Sequence, residues 1–191
     1  MKPRKSKSGE HNRLAKKLAS SIDHTLLRPT ALEEEILGTC KEAVAHRFKA
    51  VCIPGAYVKT AADALSGSGV LLATVVGFPL GTTSTRAKCC EAEASLQDGA
   101  QELDVVLNPS WILGGQHTVI ASELTQLRSI ASGACLKLIL ETCNLQDTHI
   151  TAACQLARDA GWDFVKTSTG FGTAGATLED AALMRQVVGV H

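Results

Sequence analysis

The chain has 191 residues, 45% hydrophobic and 20% charged, which is the composition of one globular domain with a core of its own. Its 19 basic and 19 acidic residues carry no overall bias toward nucleic acid or a membrane surface, and no run of about 18 apolar residues is present to span a bilayer. Aromatic residues are only 4%, so the core must be built from Val, Leu, Ile and Ala.

Charge is uneven along the chain. Residues 1–17 hold seven basic residues and one acid, Glu10, leaving 12 basic against 18 acidic residues in the remainder. Residues 1–20 therefore read as a basic, solvated N-terminal extension, and 21–191 as the folded domain. The extension has no apolar stretch of signal-peptide length. Seven cysteines, an odd number with no C-x-x-C, fit neither a disulfide framework nor a zinc site. Reduced, mostly buried thiols in a cytoplasmic protein are expected instead. The six histidines show no H-E-x-x-H spacing, so no metal site is expected.

Strand and helix patterns then alternate. Strands are predicted at Ile22–Leu27, Ala50–Pro54, Leu71–Phe78, Glu102–Asn108, Leu136–Thr142 and Phe164–Thr169, all short and rich in Val, Ile and Leu. Helices are predicted between and after them, at Leu32–Arg47, Tyr57–Leu65, Thr85–Asp98, Thr118–Ala131, Thr148–Ala160 and Leu178–Val188, where apolar residues recur at three and four. Thr30 and Thr177 are placed to cap helices, with Glu33 and Asp180 three residues later. Gly99 and Gly161 stand where glycines end helices. Six βα units in order imply an α/β fold with a parallel sheet.

Side chains alternate along a strand, so each predicted strand has two faces. Asp104 shares a face with Val106 and Asn108, Lys137 with Ile139 and Glu141, Lys166 with Phe164 and Ser168, and Asp23 with Thr25. The opposite face of the fourth strand is Leu103, Val105 and Leu107, apolar as residues packed under helices should be. A doubly wound sheet covers both faces with helices and leaves these charges nowhere to go. A (β/α)₈ barrel collects them inside, where active sites are built. That barrel needs eight units and about 250 residues; six are legible here.

Lys166 is the most informative of these charges. A lysine in an otherwise apolar strand must be paired or deprotonated, and a neutral amine in a cavity is a Schiff-base nucleophile. The bland alternative is a structural network in which Asp23, Asp104, Lys137 and Lys166 neutralise one another, although buried pairs add little net stability. Lys137 reads as either a charge partner or a catalytic group. Cys52 reads as a small buried hydrophobe or a site residue, His24 as structural, and Trp111 and Trp162 as packing. Ser168 and Thr169 are placed either to bond a substrate hydroxyl or to satisfy local backbone. Gly170, Gly172 and Gly175 make a turn before the helix at Thr177, where backbone N–H groups can hold a phosphate.

Five segments in order resemble the deoxyribose-phosphate aldolases, class I aldolases on a TIM barrel. They are Ile22-Asp23-His24-Thr25-Leu26-Leu27, Val75-Val76-Gly77-Phe78-Pro79, Glu102–Asn108, Leu136–Thr142 and Phe164-Val165-Lys166-Thr167-Ser168-Thr169-Gly170-Phe171-Gly172. The resemblance implies reversible cleavage of 2-deoxy-D-ribose 5-phosphate to D-glyceraldehyde 3-phosphate and acetaldehyde, in deoxyribonucleotide catabolism, with no metal or organic cofactor. It implies Lys166 as the Schiff-base nucleophile and Asp104 as the proton donor and acceptor. Thr25, Cys52, Phe78, Ser168, Thr169 and Gly170 are the expected substrate-binding residues, and a small phosphorylated sugar is the expected partner.

In that family a second catalytic lysine lies on a seventh strand, in a segment resembling G-V-K-x-x-G-G-I-R, whose glycines help bind the phosphate. The present sequence ends Val187-Val188-Gly189-Val190-His191, before such a segment. An incomplete barrel would leave its first and sixth strands as open edges, so low stability or self-association is expected. Two other functions stay open at this point: a catalytically silent short form that acts by binding, and a Schiff-base aldolase with another acceptor aldehyde.

Overall fold

A computed structural model describes residues 7–189, with side chains from Arg13 onward. The first six residues of the basic extension lie outside the described residues. Lys7–Ala19 form a helix (α1), although their apolar residues are too few to predict one. The described residues divide into two compact units, one running up to Ala73 and the other from Thr74.

The first unit holds β1 (Asp23–Thr25), α2 (Glu33–His46), β2 (Ala50–Ile53), a 3₁₀ turn at Gly55–Tyr57, α3 (Val58–Leu65) and the start of β3 (Leu71–Val76). β1 and β2 are parallel, with Asp23 opposite Ala50 and Thr25 opposite Cys52. All four residues of β2 are buried. The cap of α2 differs from expectation. Thr30 does not cap it, because Arg28 donates to both the carbonyl and the hydroxyl of Thr30. Instead the helix begins after Leu32, whose N–H donates to the Glu35 carboxylate at 2.9 Å.

The second unit continues β3 and adds α4 (Thr85–Gln97), β4 (Glu102–Val106), α5 (Pro109–Leu113), α6 (His117–Ile130), β5 (Cys135–Ile139), α7 (Asp147–Asp159), β6 (Phe164–Lys166) and α8 (Leu178–Val188). Strands follow one another in the sheet in chain order, β1 to β6. The registered pairs β4–β5 and β5–β6 are parallel, with Asp104 opposite Lys137 and Ile139 opposite Lys166. Among the described residues no helix is long and apolar enough to cross a membrane.

The core is what the composition demands. Leu103, Val105, Leu107, Leu136, Leu138 and Leu140 are all at most 1% exposed, and Trp162 is the one aromatic residue in the buried apolar set among the described residues. The Trp162 indole donates to the Leu124 carbonyl at 3.1 Å, which makes it a packing residue with a satisfied polar handle. Thr177 does cap α8, accepting from the Asp180 N–H at 3.0 Å. Asn108 caps α5, which Pro109 opens; this short helix has no periodicity to read from sequence. The fifth strand stops earlier than predicted because Glu141 adopts a left-handed conformation, with φ of 55°. Pairing nevertheless continues beyond it, from the Leu140 and Thr142 N–H groups to the Lys166 and Thr167 carbonyls.

All seven cysteines are free thiols. Burial pushes Cys154 up to about 11 and raises Cys40 as well, so neither is a thiolate at neutral pH. Exposed Cys90 is therefore expected to take up a thiol reagent in the native protein, and Cys154 only on unfolding; peptide mass mapping after a timed pulse of iodoacetamide at pH 8 reads both.

Gly81 is a tight point of the second unit. Its φ is +70°, its N–H bonds the Gly77 carbonyl at 2.7 Å, and a Cβ there would run into the Leu107 backbone carbonyl. Gly81→Ala combines a left-handed backbone with a backbone clash. It is expected to cost more than about 2 kcal/mol, measured as a lowered urea midpoint.

Candidate active site

The second unit gathers four charges on one face of three adjacent strands. Period-two alternation puts Glu102 and Asp104 of β4, Lys137 of β5 and Lys166 of β6 on the same side. Register brings Lys137 level with Asp104, and Lys166 sits two positions further along. The Lys166 ammonium donates to Asp104 Oδ2 at 2.6 Å. Lys137 lies 2.9 Å from Asp104 Oδ1 and 2.6 Å from Glu102 Oε2. Those two oxygens meet the ammonium by charge and distance, without the alignment of a directed hydrogen bond. The row reads Glu102, Lys137, Asp104, Lys166: alternating in sign and neutral in sum.

Exposure separates the two lysines. The Asp104 side chain is 0% exposed and that of Lys137 7%, while that of Lys166 is 33% exposed. Lys137 is held between two carboxylates. Lys166 has one ionic partner in this row and an approach from outside, as a nucleophile must.

The loop after Lys166 is fastened to β5. The Glu141 carboxylate accepts the Thr169 N–H at 3.3 Å and also the Thr169 hydroxyl. The Thr169 oxygen in turn accepts the Phe171 N–H at 3.0 Å. Gly170 has φ of +86°, and a Cβ on Gly172 would lie 2.9 Å from Cys143 Sγ and 3.0 Å from the Glu141 carboxyl carbon. The hydroxyl of Thr169 is thus committed to the loop. That of Ser168 is buried and has no hydrogen-bond partner among the described residues. Phe78, just past β3, packs edge-on against Phe171 with centroids 5.4 Å apart.

Asp104, Lys137, Lys166, Ser168, Thr169, Gly170 and Phe78 all belong to this unit. Thr25 and Cys52 belong to the first unit, paired in register. The Thr25 hydroxyl donates to the Asp23 carbonyl at 2.8 Å, and Cys52 is fully buried. His24 bonds Glu42 of α2 at 2.8 Å, in keeping with a structural role. Glu102, absent from the residues expected at the site, lies two residues before Asp104 and so on the charged face by alternation. Glu141 shares the Lys137 face by the same count, but its left-handed turn sends its carboxylate to the next loop. Among the described residues, no group of three or more His, Cys, Asp or Glu is placed to hold a metal ion.

The α/β sheet thus carries the row of charges on one face, with Asp104 in the middle of β4 and Lys166 at the end of β6. Residues 17–191 match the DeoC/LacD family of aldolases, and the chain belongs to that family. It is 46% identical over 174 residues to the deoxyribose-phosphate aldolase of Actinobacillus succinogenes, covering 91% of this chain and 78% of that protein. It is 47% identical over 176 residues to the deoxyribose-phosphate aldolase of Thermococcus gammatolerans, covering 90% and 78%. The deoxyribose phosphate aldolase of Aeropyrum pernix, a tetramer, superposes with a TM-score of 0.84 at 33% identity, covering 91% of this chain and 74% of that one. A solved protein from Coccidioides immitis superposes with a TM-score of 0.89 at 40% identity, covering 91% and 68%. The fold is thus that of the aldolase barrels, with six of their βα units in this chain.

The two lysines should differ in stability. Lys137→Met strips the buried Glu102 and Asp104 of their shared cation and is expected to cost about 3–5 kcal/mol. Lys166→Met, which leaves Asp104 paired with Lys137 and removes a partly exposed group, should cost clearly less. Urea unfolding of the two variants makes the comparison.

Proposed function

We propose that the chain is a class I aldolase that reversibly cleaves 2-deoxy-D-ribose 5-phosphate to D-glyceraldehyde 3-phosphate and acetaldehyde. The observation that carries this reading is the pairing of a one-third-exposed Lys166 with a fully buried Asp104 at 2.6 Å. Family membership supplies the reaction class, and the named substrate follows the two curated relatives at 46% and 47% identity.

The chemistry follows from the distances. To act, Lys166 must shed a proton, and Asp104 Oδ2 is within reach to take it. The free amine adds to the aldehyde carbon and forms a carbinolamine. Asp104 returns the proton to the departing hydroxyl, and water leaves to give the iminium. The iminium draws electrons from the bond between the α and β carbons of the substrate. As that bond breaks, the β-hydroxyl gives its proton, directly or through water, to the Asp104 carboxylate and becomes the carbonyl of glyceraldehyde 3-phosphate. Asp104 passes that proton to the α carbon of the remaining enamine, and water hydrolyses the new iminium to release acetaldehyde and restore the lysine. Lys137 and Glu102 hold Asp104 in place throughout. The buried, unpartnered hydroxyl of Ser168 is the group of this loop free to meet a polar atom of the substrate. Self-association is part of the proposal, since the Aeropyrum pernix relative is a tetramer; sedimentation velocity reads it directly.

Incubation with acetaldehyde and borohydride should leave a reduced two-carbon adduct on Lys166, located by peptide mass mapping. Lys166→Ala should form none, and Asp104→Asn should trap at least about 100-fold more slowly. A folded wild-type protein that forms no adduct at Lys166 would sink the proposal.

A further inference from the structure

The largest fully buried side chain among the described residues is a lysine, and it lies outside the row of charges at the site. Lys88 on α4 is 0% exposed. Its ammonium meets Glu123 Oε1 of α6 at 2.7 Å and donates to the Val106 carbonyl at 2.9 Å. It also lies 5.8 Å from the ring centroid of Trp111 on α5. The second oxygen of Glu123, itself 2% exposed, accepts the Thr85 hydroxyl at 2.8 Å. The lysine stem lies under Gly77, where a Cβ would come within 2.9 Å of Lys88 Cε. Glu91, one turn along α4, accepts the Gly77 N–H at 2.8 Å.

Net stability does not explain this arrangement, because apolar side chains of similar volume commonly serve as well as a buried ion pair. Its contacts have a different logic. Val106 ends β4, two residues beyond Asp104, and Gly77 is the first residue past β3, next to Phe78. One ammonium, held by a carboxylate from the helix layer, therefore fixes the strand end that carries Asp104. Its stem sets the height of the turn that carries Phe78 toward Phe171. An apolar residue would fill the same volume but could not hold the Val106 carbonyl in one place.

We propose that Lys88, oriented by Glu123, is a positioning residue that sets Asp104 against Lys166 from the helix side of the sheet. The proposal rests on the aldolase reading above. The test is the variant Lys88→Met/Glu123→Leu, which removes both charges together and leaves neither stranded. It should fold with a urea midpoint near that of the wild type. Borohydride trapping of acetaldehyde at Lys166 should slow by about tenfold or more, since small displacements of a reacting pair carry costs of that order. The acetaldehyde concentration at half-maximal rate should be unchanged. In an Asp104→Asn background the same double change should cost little further, because its effect runs through Asp104. A folded double variant that traps at the wild-type rate overturns the proposal. So does a tenfold loss that persists undiminished beside Asp104→Asn, or a double variant that no longer folds, since the pair would then be a stability element. Absence of an adduct on wild-type Lys166 overturns the aldolase reading and this proposal with it, and is recognised because it precedes any variant.

Discussion

A fully buried carboxylate shared by two ammonium groups is the constraint on which the second unit is built. Taking Asp104 out of water costs several kcal/mol unless cations replace the lost hydration. Lys137 and Lys166 do so from two different strands, one on each oxygen. Both can reach only if β4, β5 and β6 are parallel and in one register. A slip of one residue would turn each charge to the helix-covered face and each leucine to the other. The charge row and the sheet register are thus one requirement seen twice. This also explains why Glu102 is needed: two lysines on a single aspartate would leave a buried excess of positive charge, and Glu102 balances it.

The strand ends above this row are braced from three directions. On β4, Lys88 holds the Val106 carbonyl from the helix layer. On β5, the left-handed Glu141 turns its carboxylate onto the Thr169 backbone and hydroxyl. On β3, Gly77 and Gly81 allow a turn so close to β4 that a single methyl group would collide with the Leu107 carbonyl. These are polar or steric fastenings at places where apolar packing gives no directional control. They concentrate around the end of the sheet next to the Lys166–Asp104 pair. The opposite face of β4 and β5, by contrast, is packed by Leu103, Val105, Leu136 and Leu138.

The six strands and the six longer helices after β1 were legible because their apolar spacing is strong. The gaps have physical causes. α1 and α5 lack a periodic apolar stripe, one because it is nearly all polar, the other because it spans five residues. Thr30 has the right chemistry for a cap, but Arg28 engages its oxygens and Glu35 does the capping from inside the helix. Asp104, Lys137 and Lys166 were legible because strand alternation alone sorts side chains to faces. Lys88 and Glu123 were not. A charged residue on a helix is ordinarily read as solvent-facing, and only the packing of α4 on α6 turns these two toward each other.

From the sequence alone follow the order of the βα units, the charged and apolar faces of each strand, and Lys166 as the lysine to watch. These depend on alternation and local propensity, which act over a few residues. Which lysine is reachable and which is locked depended on partners 62 residues apart for Lys166 and Asp104. It depended also on which oxygens those partners left open. Tertiary structure decided that Lys137 is clasped between two carboxylates and that Lys166 stays one-third exposed. Burial and pairing are properties of the assembled sheet, and no single strand contains them.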